Sequence, residues 1–315
     1  MSISDSSRPR FLLLFVDGVG LAPAVETNPF ATVPTPALAA ALGGALTLER
    51  IGAVPGGGLS ALDATLGVPG LPQSATGQTA LFTGENAPAL LGRHVAALPG
   101  PRLAALLADH SVLKRARAAG HAVTFANPFT PAYFAEVEAG RRRHSATTLA
   151  ALASGAPFRD ADDLRAGRAV PWDVTGAFFK AFEANVEERL PEAAGRSLAR
   201  LAGGHRLTLW ETFMTDLAGH GRREWTPEEA LARLDGLLAG LLADLPNDVT
   251  LLLTSDHGNL EERHHTSHTR NPVPLLALGP EAPAFATLTR IDEIAPKILE
   301  RLGPRQRSLS ETRRS

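Results

Sequence analysis

The chain has 315 residues, 44% hydrophobic and 20% charged, with a formal net charge of −2 and no cysteine. That length buries a large core: one big α/β domain with an insertion, or two domains. The near-neutral balance leaves no electrostatic footprint for nucleic acid or an anionic membrane. The missing cysteines exclude disulfides, thiolate nucleophiles and zinc–thiolate sites, so any metal must be held by imidazole and oxygen.

Residues 1–10 and 305–315 are polar and are expected to be flexible termini. The run 11–16, FLLLFV, reads as a buried first strand. Six apolar residues are too few for a signal peptide, and Asp17-Gly18 stands where a cleavage site would be needed. No run approaches the ~18 residues of a membrane-spanning helix, so a soluble, cytoplasmic protein is expected. Asp17 is a carboxylate at a strand end, suited to a turn or to a ligand role. Residues 21–36 read as a loop, and Thr35-Pro36 opens a helix with proline in its first turn. Residues 45–49 suggest a short strand, and Gly56-Gly57-Gly58 a flexible connection.

In Leu71-Pro72-Gln73-Ser74-Ala75-Thr76-Gly77-Gln78, proline and small polar residues lead into an apolar run. Ser74 therefore sits at a helix start, where it is either an N-cap or a nucleophile whose adduct faces free N–H groups. Residues 101–119 have helical spacing, and 122–126 read as a strand. Between 130 and 191 the apolar runs shorten and proline–glycine breaks multiply, which predicts a small inserted cap. Within it Gly140-Arg141-Arg142-Arg143-His144 is a solvated charge run or a phosphate grip.

The core resumes with a strand at 206–210. Asp216 and His220, four apart, share a face if their segment is helical. Thr226-Pro227-Glu228-Glu229 is a capping box, followed by leucines at helical spacing. The run 249–253 is a buried strand, and Thr254-Ser255-Asp256-His257-Gly258-Asn259 follows it directly. In open α/β sheets ligands bind outside the carboxyl ends of the strands, which is where this segment falls. Five of the ten histidines lie between His220 and His268, a density suited to a metal site. A strand at 273–278 and a helix at 291–302 complete the chain. There is no internal repeat, GxGxxG or P-loop.

Taken together, "DGVG" at Asp17, "SATGQ" at Ser74, "DLAGH" at Asp216, "SDHGN" at Asp256 and "HTRNPVP" at His268 resemble the alkaline phosphatase superfamily. Within it the likeness is to the metalloenzyme branch with cofactor-independent phosphoglycerate mutase and phosphopentomutase. It covers about 11–125 and 206–302 and leaves out the cap.

The resemblance implies an α/β, alkaline-phosphatase-like core with a mixed, mostly parallel sheet between helical layers. The core would comprise 11–129 and 192–304, interrupted by the cap at 130–191. It further implies two divalent ions, zinc or manganese. Asp216, His220 and His268 would hold one; Asp17, Asp256 and His257 would hold the other, with Ser74 bridging towards it as nucleophile. His264 and His265 are expected outside both sets. Two ions roughly 3.5–4 Å apart serve both ends of an in-line phosphoryl transfer, so the expected partner is a small phosphorylated substrate.

Departures bear on the reaction. Gln78 replaces the histidine of the mutase pattern, Gln73 its asparagine, and the mutase's paired arginines are missing. These favour a phosphohydrolase acting through phosphoserine over a phosphomutase, with Arg141, Arg142, Arg143 and Arg270 as candidate phosphate contacts. A metal-binding regulatory protein on the same fold is the non-catalytic alternative.

Overall fold

The computed structural model describes residues 8–183, 185–222 and 224–304. The termini expected to be flexible fall outside the described residues except for 8–10, and Arg10 already begins the first strand. The described residues form a seven-stranded sheet of order β2-β3-β7-β6-β1-β5-β4. Its strands are β1 (Arg10–Val16), β2 (Gly52–Val54), β3 (Gly57–Leu62), β4 (Val123–Phe125), β5 (Leu207–Thr212), β6 (Val249–Thr254) and β7 (Val273–Leu278). Strands β4, β5, β1 and β6 are parallel, and β7 runs against both β6 and β3. Since β3 returns to the direction of β6, five of the seven strands point the same way. The sheet is mixed and mostly parallel.

The FLLLFV run lacks polar alternation because β1 is covered on both faces, as central strands of such sheets are. Phe11, Leu13 and Phe15 enter one apolar layer, with helices Ser74–Thr83, Pro101–His110, Val112–Ala118 and Ile294–Leu302. Leu12, Leu14 and Val16 enter the other, with Pro36–Leu42, Pro191–Gly204 and Pro227–Asp244. The capping box at Thr226 forms as expected.

Register sets the position of the site. Val16 lies level with Thr212 of β5, and Phe15 with Thr254 of β6. Three strands therefore end side by side, and the segments that follow them converge on one point.

Two local expectations need correction. The short strand at 45–49 is absent; Leu48–Arg50 forms a 3-10 turn instead. The glycines at 56–58 are no flexible link but the turn and start of a β2–β3 hairpin. Gly56 takes φ +75°, and a Cβ on Gly57 would sit 1.8 Å from the Ala277 carbonyl oxygen, so only glycine permits this close pairing with β7. Within 130–191, one helix reaches the core. The Ala146–Ser154 helix places Ala146, Ala150 and Ala151 there beside the Pro101–His110 and Val112–Ala118 helices. Those residues are small, which hid their burial in a sequence read for large apolar side chains.

Candidate metal centre

Asp17 follows β1 by one residue, Asp256 follows β6 by two, and Asp216 follows β5 by four. Helix Met214–Gly219 carries Asp216 in its first turn and ends at His220, one turn on. His268 returns from the loop between β6 and β7, pinned by the bridge between Gly258 and Thr269.

Two groups that could hold a metal ion result, Asp216 with His220 and His268, and Asp17 with Asp256 and His257. In the first, His220 Nε2 lies 3.4 Å from Asp216 Oδ2 and 3.2 Å from His268 Nε2, and His268 Nε2 lies 3.7 Å from Asp216 Oδ1. His220 Nδ1 faces the Thr266 carbonyl at 2.7 Å, and His268 Nδ1 faces the Pro72 carbonyl at 2.9 Å. A carbonyl only accepts, so Nδ1 carries a proton in both rings and Nε2 is the atom each turns inward, the arrangement of a metal-binding histidine. Two imidazole nitrogens and a carboxylate thus converge on one point. A cation satisfies all three.

The second group is deeper. His257 Nε2 lies 3.3 Å from Asp17 Oδ1 and 3.5 Å from Asp256 Oδ2, with Asp256 and His257 fully buried. Tetrahedral ligands each about 2.1 Å from one ion stand about 3.4 Å apart, and the separations in both groups scatter around that edge length. Seven buried polar side-chain atoms lack a hydrogen-bond partner among the described residues. Five belong here: Asp17 Oδ1, both Asp256 oxygens, His257 Nδ1 and Asn259 Oδ1. Burial, reinforced by Asp256 and Asp216, holds the Asp17 carboxyl well above its usual range. Burial likewise pushes Asp256 up to about 6 and His257 down to about 3. The two carboxyls thus resist charge for want of a counter-ion, a preference that a bound cation inverts, while the neutral imidazole of His257 is already the form that binds a metal. The residues fit a divalent ion in each group.

The groups are back to back. The His257 and His268 rings stack with centroids 3.6 Å apart. Gly18, at φ +71°, leaves room for Asp216, which a Cβ there would approach to 2.8 Å.

Residues that motif reading passed over hold this arrangement. Asn259 Nδ2 donates to Asp216 Oδ1 at 2.8 Å, and the Thr215 hydroxyl donates to the Asp17 carbonyl at 2.5 Å. Buried Glu261 accepts from the Gly20 and Asn259 N–H groups and from the Thr269 hydroxyl, tying the β6–β7 loop to the one that follows β1. Its signal was present in the sequence as a carboxylate two residues past "SDHGN". Gln78 Nε2 donates to Asp17 Oδ2 at 3.1 Å.

Ser74 is the first residue of the Ser74–Thr83 helix; Gln73 occupies the N-cap position. The serine is therefore not spent on capping, and its Oγ lies 3.0 Å from His257 Nε2. It opens, with Asp17 and Gln78, on a cavity of about 460 Å³. Arg142 and Arg143 also line that cavity. Arg141 instead pairs with Glu136 at 2.7 Å, and Arg270 donates to the Gly70 carbonyl at 3.0 Å; neither lines it. His264 and His265 are exposed and turn towards Glu262, away from both groups.

The model of the Metalloenzyme superfamily matches residues 192–305, a span that holds Asp216, His220, Asp256, His257 and His268 but neither Asp17 nor Ser74. A 2,3-bisphosphoglycerate-independent phosphoglycerate mutase of Coxiella burnetii is 33% identical over 96 residues, covering 28% of this chain and 18% of that protein. The enzyme of the same name from Syntrophotalea carbinolica is 29% identical over 131 residues, covering 39% of this chain and 26% of that protein. The match thus spans about a fifth to a quarter of these relatives' length.

Among solved structures, alkaline phosphatase from the Antarctic bacterium TAB5 superposes with a TM-score of 0.52 at 14% identity, over 95% of this chain and all of that one. The PH0037 protein of Pyrococcus horikoshii gives 0.56 at 14% identity, over 96% and 98%. The fold is alkaline-phosphatase-like. More particularly, the chain resembles a metalloenzyme of that kind with local likeness to cofactor-independent phosphoglycerate mutase, and divalent metal ions are the cofactors this implies.

Proposed function

We propose that this protein is a two-metal phosphohydrolase that works through a phosphoserine at Ser74. The observation that carries the reading is Ser74 Oγ itself. It stands at a helix start, free of capping, against His257 and open to the cavity. Asp216, His220 and His268 would hold one ion and Asp17, Asp256 and His257 the other, with zinc or manganese suited to such oxygen and imidazole ligands. When bound, the ions supply the positive charge that polarises a phosphoryl oxygen and makes a serine alkoxide accessible.

The chain's own residues do the rest. Ser74 Oγ attacks phosphorus, an Oγ–P bond forms, the ester P–O bond breaks, and the alcohol departs with a proton. The N–H groups of the helix's first turn lie beside the phosphoryl group so formed, where the helix dipole favours negative charge. Water then displaces Ser74, releasing inorganic phosphate and restoring the hydroxyl. Gln78 keeps Asp17 oriented through its amide hydrogen bond. Residues from 130–191 line the cavity's outer part, the position of a substrate-selecting cap.

A phosphomutase shares the Ser74 step and returns the phosphoryl group to the substrate. The relatives' names favour that variant, whereas Gln78 and the missing paired arginines favour release to water. One assay separates them: metal-loaded protein is followed for inorganic phosphate and for positional isomers in the same reaction. Phosphate release with Ser74 transiently phosphorylated is the expected result. Stoichiometric isomerisation without phosphate would overturn the hydrolase.

A further inference from the structure

Aromatic residues make up 5% of the chain, yet seven of its seventeen line the one cavity that contains Ser74. They come from separate stretches. Phe129 and Tyr133, centroids 4.8 Å apart, form one wall. Trp172, packed at 4.9 Å on Phe213 and at 5.1 Å on Phe178, forms another. At the mouth Phe178 and Phe182 remain 46% and 62% exposed, apolar surface that an occupant would cover.

Polar groups line the cavity too, among them Asp17, Gln78, Glu136, Arg142 and Arg143. Glu211, at the end of β5, is buried and also lines the cavity. Its backbone is clamped on both sides by the Asn127 side chain, at 3.0 and 2.9 Å, and the Thr147 hydroxyl donates to Oε2. A chamber of about 460 Å³ that sets seven aromatic side chains beside anchored polar groups, Glu211 among them, has the make-up of a small-molecule site.

Resting on the phosphoserine reading and extending it, we propose that this cavity takes the leaving group of the substrate, and that this group is a bulky, ring-bearing, apolar alcohol. Glu211 selects among such alcohols by accepting a hydrogen bond from a hydroxyl or amino group on the ring. A glycerate or an open sugar would leave the aromatic walls without partners. A ring gains face and edge contacts with them. The distinction concerns the leaving group alone, since the phosphoryl end is met by Ser74 and the ligand groups in either case.

The test must not confuse fit with chemical reactivity. Ethyl phosphate and 2-(2-naphthyl)ethyl phosphate release alcohols of similar acidity and differ in the ring. With metal-loaded protein, kcat/KM should favour the naphthyl ester about 10- to 100-fold, the worth of burying such a ring. Trp172→Ala should shrink that ratio about tenfold and Trp172→Phe should largely keep it. Glu211→Gln should lower the preference for a 6-hydroxynaphthyl ester over the plain one.

Binding of 2-(2-naphthyl)ethanol, read by quenching of Trp172 fluorescence against the Trp172→Phe protein, needs no turnover. If the alcohol binds there and no ester is hydrolysed, the cavity assignment stands and the phosphohydrolase fails. If both esters turn over equally and the alcohol does not bind, the assignment fails and the phosphohydrolase stands.

Discussion

The ligand cluster at the strand ends and the aromatic stretch above it are built on opposite principles. At the cluster each carboxylate follows within four residues of a buried parallel strand. Glycines there leave no room: a Cβ on Gly18 would approach Asp216 to 2.8 Å, one on Gly77 the Asp256 carbonyl to 2.9 Å, and one on Gly219 the Asn259 amide to 2.6 Å. Between Pro131 and Phe182, by contrast, short helices join turns, Gly140 has nothing within 4 Å of its added Cβ, and large aromatics face solvent. The sheet fixes the groups that must not move. On the proposed reading, the segment outside the sheet would carry the surface that suits one substrate, the usual division between scaffold and variable elements.

The largest expected effect sharpens that division at its rigid side. Ser74→Ala removes one oxygen from the cluster and nothing from the aromatic walls. Phosphoryl transfer should fall on the order of 10³-fold or more, as when a nucleophile is removed from other enzymes. Metal content by elemental analysis and naphthylethanol binding should both persist. A variant that kept most of its rate would mean that water attacks the ester directly, and Ser74 would lose its role.

The two regions also differ in how far they can be read from the sequence. Asp17, Asp216 and Asp256 each follow an apolar run at a turn, so strand, turn and carboxylate are visible within a few residues. The metal geometry is then a consequence of register, which brings Val16, Thr212 and neighbouring Thr254 level. What could not be read is what depends on distant segments meeting. Phe129, Trp172 and Phe213 share no periodicity and assemble only when β4, β5 and the intervening helices pack. The same limit applied to charge. Of the arginine run, Arg142 and Arg143 line the cavity while Arg141 turns to Glu136, a choice set by the helix end at Glu138 and not by residue type. Alanine carries little hydrophobic signal, so the burial of Ala146, Ala150 and Ala151 is equally hard to see in the sequence.

Glu211 lies on the border, rooted in β5 and facing the cavity. Burial raises its carboxyl from 4.5 to about 7, with the Thr147 hydrogen bond working in the opposite sense. The fold therefore favours the neutral acid. The stability this group contributes is fully present below its unfolded value of about 4.5 and is lost as pH rises through about 7. Glu211→Gln is permanently neutral and lacks that loss. At about 1.4 kcal/mol for each unit, the natural protein should weaken relative to the variant by at most about 3 kcal/mol across this window. Denaturant unfolding of both proteins from acid to mildly alkaline pH measures it. A constant difference would mean that Glu211 is already solvated or paired, and that the cavity floor is open to water.

The smallest effect tests whether the two regions are separable at all. Gly140 sits past the Pro131–Glu138 helix at φ +70°, beside the arginine run. Alanine there meets no neighbour, so only the left-handed backbone is penalised, at about 1–2 kcal/mol. Gly18 has the same backbone sign, but alanine would add to that strain a collision with Asp216, a proposed ligand. Gly140→Ala should therefore lower the unfolding midpoint slightly, with metal affinity unchanged in a titration and with Ser74 phosphorylated as readily as before. Because the stretch it strains carries Tyr133 and Arg142, any kinetic change should appear in the discrimination between naphthyl and ethyl esters. If Gly140→Ala instead lowered metal affinity, strain at the aromatic segment would be reaching the strand ends, and the scaffold would not be independent of the surface it supports.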